Sequence, residues 1–322
     1  MRRNIIKSTG KYLPEKVLTN KELESIVDTT DEWILQRTGI EERHIAADGE
    51  RTSDMAVRAA QNALDEAGLA GSDIDGVIVA TATPDRVFPS VAVAVQAELG
   101  VKQGACFDVQ AACAGFVYAL GSADALMKAG HGKRFLVIGA EKFSSIVDWE
   151  DRRTCVLFGD GAGAVILEAI DGQGDFSDQG ILDCQLHADG TYQDMLYVDG
   201  GIAQRKNGHI QMQGQDVFKF AVNSMSEIMK DTLHKNNLNA DDIDWLIPHQ
   251  ANIRIIEATG RKLGLPSEKV VVTVNKHGNT SAASIPLALD TAVKDGRVKR
   301  GDVLFLEGLG GGFTWASALV RY

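Results

Sequence analysis

The chain has 322 residues, enough for one large core or two ordinary ones, and 44% hydrophobic with 24% charged residues is a globular composition. Its net charge of −11 argues against nucleic acid or an anionic membrane as the main partner. The opening MRRNIIKSTGKYLPE turns polar after two isoleucines, and no apolar stretch is long enough to span a bilayer, so the expectation is a soluble, cytoplasmic protein.

Thr52–Leu69 carries an apolar period of about 3.6 residues and predicts a helix that stops at Gly68. Val77–Ala80 has the length and β-branching of a buried strand. Ala105–Val109, interrupted by Asp108, predicts another, and a helical pattern over Ala114–Ala129 follows it at once. Leu136–Ile138 reads as a strand, and residues 171–180, DGQGDFSDQG, read as a loop. Beyond it, helices are expected over Val217–Leu233, Asn252–Leu263 and Ser281–Val293, and strands over Trp245–Ile247, Val270–Val274 and Val303–Leu306. Strands alternating with helices predict an α/β fold with mostly parallel sheets covered by helices.

The chain also resembles itself. DIDGVIVATA (Asp73–Ala82) matches DIDWLIPHQA (Asp242–Ala251) at a distance of 169 residues, and FLVIGAE (Phe135–Glu141) matches VLFLEGL (Val303–Leu309) at 168. Each half then has a Gly-rich stretch and a closing apolar run, FGDGAGAVILEA in one and GLGGGFTWASALV in the other. Four elements in one order predict two pseudo-symmetric βα halves, 1–170 and 171–322, with active-site residues from strand ends in both.

The four cysteines have neither the density of a disulfide framework nor the spacing of a zinc site. A lone cysteine among alanines usually packs as a small hydrophobe. Cys113, however, follows a strand at the start of a helix, where unpaired N–H groups favour a thiolate. The second half offers PHQAN and KHGNTSAAS after its own strands, so Cys113, Asn279 and either His249 or His277 could meet in one pocket. The glycines Gly308–Gly312 allow backbone N–H groups close to a reacting carbonyl. GDGAGA leads into a strand-like run rather than a helix, which excludes a dinucleotide fingerprint. Trp33 and Arg37, one helical turn apart, suit a base and phosphates, and Asp151–Arg153 adds cations nearby.

These stretches, with DEWILQRTGI, AACAGF, LHADG, PHQANIRI, HGNTSAAS and GGGFTW, make the whole chain resemble the β-ketoacyl-acyl-carrier-protein synthase III family of thiolase-fold condensing enzymes. The resemblance implies a layered αβαβα core. It makes Cys113 the acyl-accepting nucleophile, with His249 and Asn279 as its catalytic partners and His277 structural. By the same resemblance the N–H groups of Cys113 and Gly311 form the oxyanion hole. Thr29, Trp33, Arg37, Arg152, Phe218 and Asn252 are implied to bind coenzyme A. Gln250, Ala251, Asn252, Ile253, Arg254 and Lys219 are implied to dock the acidic carrier protein, with Arg261 a further basic candidate. Phe88 would reach a partner's acyl pocket in a homodimer, and Leu309 lines that pocket where relatives often have Phe. Arg153 stands where relatives often have a small or neutral residue.

The implied reaction is decarboxylative condensation of a short acyl-CoA, acetyl-CoA favoured, with malonyl-carrier protein, with no metal or redox cofactor. A condensing enzyme or acyltransferase of secondary metabolism is the alternative, and a non-enzymatic coenzyme A-binding protein a remote one.

Overall fold

Apolar runs without polar alternation have to be covered on both faces, and the computed structural model, which describes residues 2–322, places them inside two sheets. The first contains β1 (Arg2–Tyr12), β2 (Gly76–Ala80), β3 (Cys106–Val109), β4 (Arg134–Lys142) and β5 (Asp160–Asp171), in the order β1-β5-β4-β2-β3. The second contains β6 (Gly180–Ala188), β7 (Trp245–Pro248), β8 (Val303–Gly310) and β9 (Thr314–Arg321), in the order β6-β9-β8-β7. The helices that matter for the site are α1 (Asp31–Thr38), α2 (Thr52–Ala67), α3 (Gly115–Lys128), α4 (Gly214–Lys235), α5 (Ile253–Lys262) and α6 (Ser284–Lys294).

Side-chain alternation along the central strands builds five layers. In β4, Leu136, Ile138 and Ala140 pack toward α2, while Phe135 and Val137 join the cluster around α3 and α6. In β8, Leu304 and Leu306 enter that same cluster, and Val303 and Phe305 pack with Met229 and Leu233 of α4. The helices α3 and α6 therefore fill the space between the sheets.

The internal repeat is a backbone fact. The Asp75 carboxylate accepts the Arg134 N–H at 3.0 Å and the Asp244 carboxylate accepts the Val303 N–H at 2.8 Å. These pairs put Arg134, not Phe135, opposite Val303, a one-residue correction that makes the offset a constant 169.

Two expectations need correcting. The sheets are mixed rather than mostly parallel: β2 pairs in parallel with β3 and β4, and β7 with β8, but β5 and β9 run antiparallel to every neighbour. The connection from β8 to β9 is only the turn Gly311–Phe313, too short for a crossover. Val270–Val274 is not a strand. It lies where β3 lies in the first half, yet only Val270 bridges to Leu246, between a turn at Ser267–Lys269 and a helical turn at Val274–His277. The buried Gln250 side chain replaces the missing ladder, accepting from Thr273 and Val274 N–H at 2.8 and 3.1 Å and donating to the Val271 carbonyl at 3.0 Å.

Candidate active site

Both halves enter their central helix through the same bent turn. Ala112 and Ser281 have φ of 43° and 49°, and each opens a 3-10 turn, Ala112–Ala114 or Ser281–Ala283, that runs into α3 or α6. In the first half this turn displays Cys113; in the second the same position is Ala282. The glycine end of β8 packs directly on the Cys113 turn. A Cβ on Gly310 would lie 2.5 Å from the Cys113 nitrogen, and one on Gly308 would lie 3.0 Å from its carbonyl oxygen. Here the glycines serve close backbone packing as well as any approach to a substrate.

Cys113 is 5% exposed, and burial pushes its thiol up to about 12. The expected thiolate bias of a helix N-terminus is thus outweighed by desolvation in the free protein. His249 follows β7, its N–H donating to the Glu307 carbonyl at 2.7 Å and its Nδ1 lying 2.6 Å from Ser284 Oγ. Burial drives the imidazole down to about 3, so it is neutral at physiological pH. Asn279 is pinned by its N–H to the Leu157 carbonyl at 2.8 Å, and its Oδ1 accepts from Ser281 N–H at 2.9 Å. With Oδ1 engaged, the amide NH₂ is the group left to serve a ligand.

Cys113, His249, Asn279, Leu309 and Gly311 all line one cleft of about 1430 Å³. The same lining includes Trp33, Arg37, Arg153, Phe218, Lys219, Asn252 and Arg254. The Arg37 and Arg152 guanidiniums lie 5.0 and 4.5 Å from the Trp33 ring centroid, and Arg152 also pairs with Asp28 at 3.4 Å. Arg153 is held as a fork by Asp151, with contacts of 2.9 Å from both Nε and Nη2. Asn252 caps α5, its side chain accepting the Arg254 N–H at 2.8 Å.

Other expected residues lie elsewhere. Thr29, Arg152, Ile253 and Phe88 do not line the cleft, and Phe88 is 82% exposed on this chain. Gln250 is fully buried with its amide spent on the backbone, so it is corrected from a docking residue to a structural one. Ile253 packs between α5 and α1, where a Cβ on Gly39 would meet its Cγ2 at 2.5 Å. His277 is buried, off the cleft, and driven down to about 3 chiefly by desolvation.

Sequence reading missed Ser284, which holds His249, and the apolar wall made by Leu196, Tyr197, Ile210 and Met212. That wall comes from three-residue strands, Leu196–Val198 and Ile210–Met212, too short to show a period.

Family models described as 3-oxoacyl-[acyl-carrier-protein] synthase III match residues 107–190, and its C-terminal part residues 233–322. Beta-ketoacyl-[acyl-carrier-protein] synthase III of Rhodospirillum centenum is 59% identical over 99% of both chains, and that of Sinorhizobium medicae 57% over the full length of both. The crystal structure of 3-oxoacyl-[acyl-carrier-protein] synthase III from Aquifex aeolicus superposes with a TM-score of 0.93 at 50% identity, covering 99% of this chain and 100% of that one. A priming β-ketosynthase from the R1128 polyketide pathway has a TM-score of 0.91 at 36% identity over 99% of this chain and 96% of that one.

Proposed function

Because the chain belongs to the β-ketoacyl-[acyl-carrier-protein] synthase III family, with its thiolase fold, we propose that it condenses an acyl-CoA with malonyl-carrier protein to start fatty-acid synthesis, with Cys113 as the acyl carrier. The observation that supports these residue roles best is the meeting of Cys113 from one half with His249 and Asn279 from the other in a single cleft.

Cys113 attacks the acyl-CoA thioester, and N–H groups of Cys113 and Gly311 hold the oxyanion. Malonyl-carrier protein then enters. Loss of CO₂ develops charge on its thioester oxygen, where His249 and the Asn279 amide donate hydrogen bonds. For this role the imidazole carries its proton on Nε2, with Nδ1 accepting from the Ser284 hydroxyl 2.6 Å away, a hydroxyl that also accepts the Gln250 N–H at 3.2 Å. The enolate carbon attacks acyl-Cys113 and yields the 3-oxoacyl product.

Trp33, Arg37 and Phe218 of the cleft take the coenzyme A nucleotide together with Arg152, which stacks on Trp33 from outside the lining, and Asn252 takes its pantetheine arm; Thr29, off the cleft, keeps only the role the resemblance implies. Ala251, Arg254 and Lys219, with Arg261 beyond, present the carrier-protein surface, a local cationic patch on a chain of net charge −11. The exposed Phe88 and the edge position of β3 support a homodimer in which Phe88 limits a second copy's acyl pocket to short chains.

Mass spectrometry of Cys113 after acetyl-, butyryl- or octanoyl-CoA tests this reading. Acetyl transfer should be complete in the wild type and absent from Cys113→Ala, and Phe88→Thr should admit longer chains. Labelling of another residue, or octanoyl preference in the wild type, would overturn the respective assignment.

A further inference from the structure

Of the described cations lining the cleft, Arg37, Lys219 and Arg254 have tasks in the proposed reaction and Arg153 has none. Arg153 shares a turn with Arg152, but the two side chains part. Arg152 lies over the Trp33 ring from outside the lining, at 4.5 Å, whereas Arg153 belongs to the lining itself. The Arg153 side chain is 74% exposed, yet its guanidinium is held. The Asp151 carboxylate accepts from Nε at 2.9 and 3.2 Å, from Nη2 at 2.9 Å and from the Arg153 backbone N–H at 2.9 Å. A guanidinium carries five N–H groups, and this fork uses only its Nε–Nη2 edge. No described residue accepts from Nη1, so the edge made by Nη1 and the second N–H of Nη2 stays open. Asp151 thus fixes the open edge without occupying it.

The fork alone marks no site. Asp295 holds Arg297 in the same way, with Nε at 3.0 Å from both oxygens and Nη2 at 2.7 Å from Oδ2, and Arg297 does not line the cleft. Place is what distinguishes Arg153. Resting on the reading that acyl-CoA enters by this cleft, we propose that Arg153 recognises the 3′-phosphate on the ribose of coenzyme A, its open edge donating to two phosphate oxygens.

A base stacked at Trp33 brings its ribose beside the turn that carries Arg152 and Arg153. From that ribose the diphosphate leads on toward the thioester and Cys113. The 3′-phosphate leads nowhere, so it is the group that can remain at a largely exposed cation. A phosphate monoester offers two oxygens at the spacing of a guanidinium edge, which a lone ammonium cannot match. The phosphopantetheine arm of a carrier protein has neither base nor ribose phosphate. Arg153 therefore favours a coenzyme A thioester over a carrier-bound one in the first half of the reaction. It acts on the choice of substrate and not on the chemistry at sulfur.

The test is acetyl-Cys113 formation by rapid quench from acetyl-CoA and from acetyl-dephospho-CoA, which lacks only the 3′-phosphate. Wild type, Arg153→Ala and Arg297→Ala are compared at low salt. At limiting substrate the wild type should prefer acetyl-CoA by about tenfold. The saturated rates should agree, because a phosphate far from the thioester is bound alike before and in the transition state. Arg153→Ala should lose about tenfold with acetyl-CoA and stay within about twofold of wild type with acetyl-dephospho-CoA, so that the preference vanishes. In the wild type the preference should also shrink toward about 1 M salt. Arg297→Ala removes the same charge from the same kind of fork and should match wild type on both substrates. Arg153→Ala keeping the preference or slowing both substrates alike, or Arg297→Ala erasing it, would overturn the assignment. So would a raised KM for malonyl-carrier protein in Arg153→Ala with the preference intact, which would move Arg153 to the carrier-protein surface. Absence of acetyl-Cys113 in the wild type with either substrate would instead overturn the reading on which the assignment rests.

Discussion

In the proposed mechanism His249, Asn279 and Ser284 divide one task between two donors and a support. Because the buried imidazole is driven down to about 3, it acts in the neutral form across the physiological range. His249→Ala and Asn279→Ala should leave acylation of Cys113 intact while slowing decarboxylation of the malonyl thioester by about two to three orders of magnitude each. Ser284→Ala removes the 2.6 Å contact that holds the ring, and the same step should slow by about tenfold. Separate assays of the acylation burst and of CO₂ release decide the matter. Loss of the burst in His249→Ala would make His249 the base for Cys113 and remove its assignment as a donor. Cys113 was legible in the sequence as a cysteine between a strand and a helix, and a histidine after a strand of the other half was expected, but His249 was singled out from His277 only by the family resemblance. Ser284 was not: a serine inside a helical pattern gives no sign that its hydroxyl meets a histidine 35 residues away.

At the scale of elements, the glycines of β8 let a strand touch a turn. A methyl on Gly310 would meet the Cys113 nitrogen at 2.5 Å, the Ala111 carbonyl oxygen at 2.8 Å and Ala112 Cβ at 2.8 Å, mostly backbone that cannot swing aside. Gly310→Ala should therefore cost about 1–3 kcal/mol of stability and displace Cys113 enough to abolish acylation. Gly190→Ala, where a Cβ meets nothing within 4 Å, serves as the control and should melt like the wild type. Equal melting temperatures and acylation rates for the two variants would show that the turn yields easily. The antiparallel return of β9 along β8 was hidden at this scale, because a run of glycines marks a turn without saying which direction the chain takes after it.

For the molecule as a whole, buried ionisable groups shape stability from both sides of neutrality. His249 and His277 are both driven down to about 3, so the unfolded chain binds more protons below about pH 6.5, and stability falls as pH drops through that range. Glu307 is fully buried, neither of its oxygens has a hydrogen-bond partner among the described residues, and desolvation raises it well above the carboxylate range. Here the folded state holds the extra proton, so stability falls as pH rises above the unfolded value. Glu307→Gln should relieve this penalty, gaining on the wild type by up to about 1.4 kcal/mol per pH unit between pH 5 and 8. Urea unfolding at the two pH values measures it; a constant difference would mean that Glu307 ionises freely in the folded protein.

The sequence by itself determined the α/β class, the repeat, the helix ends and a pocket of Cys113, Asn279 and one of two histidines, while the layered core and the choice of His249 over His277 came from the family resemblance. The first of these rest on short-range signals, such as apolar period, glycine position or motif spacing, written along the chain. Tertiary structure decided what depends on solvent and on distant neighbours. Burial keeps Cys113 a thiol despite its place before a helix. Gln250 moves from the surface to the inside of an incomplete sheet, replacing ladder bonds that Val270–Val274 does not make. Cys113, His249 and Asn279 come to line one cleft only because the two halves pack together. Desolvation and contact between distant residues leave no periodic trace in a sequence, since neither depends on what stands next along the chain.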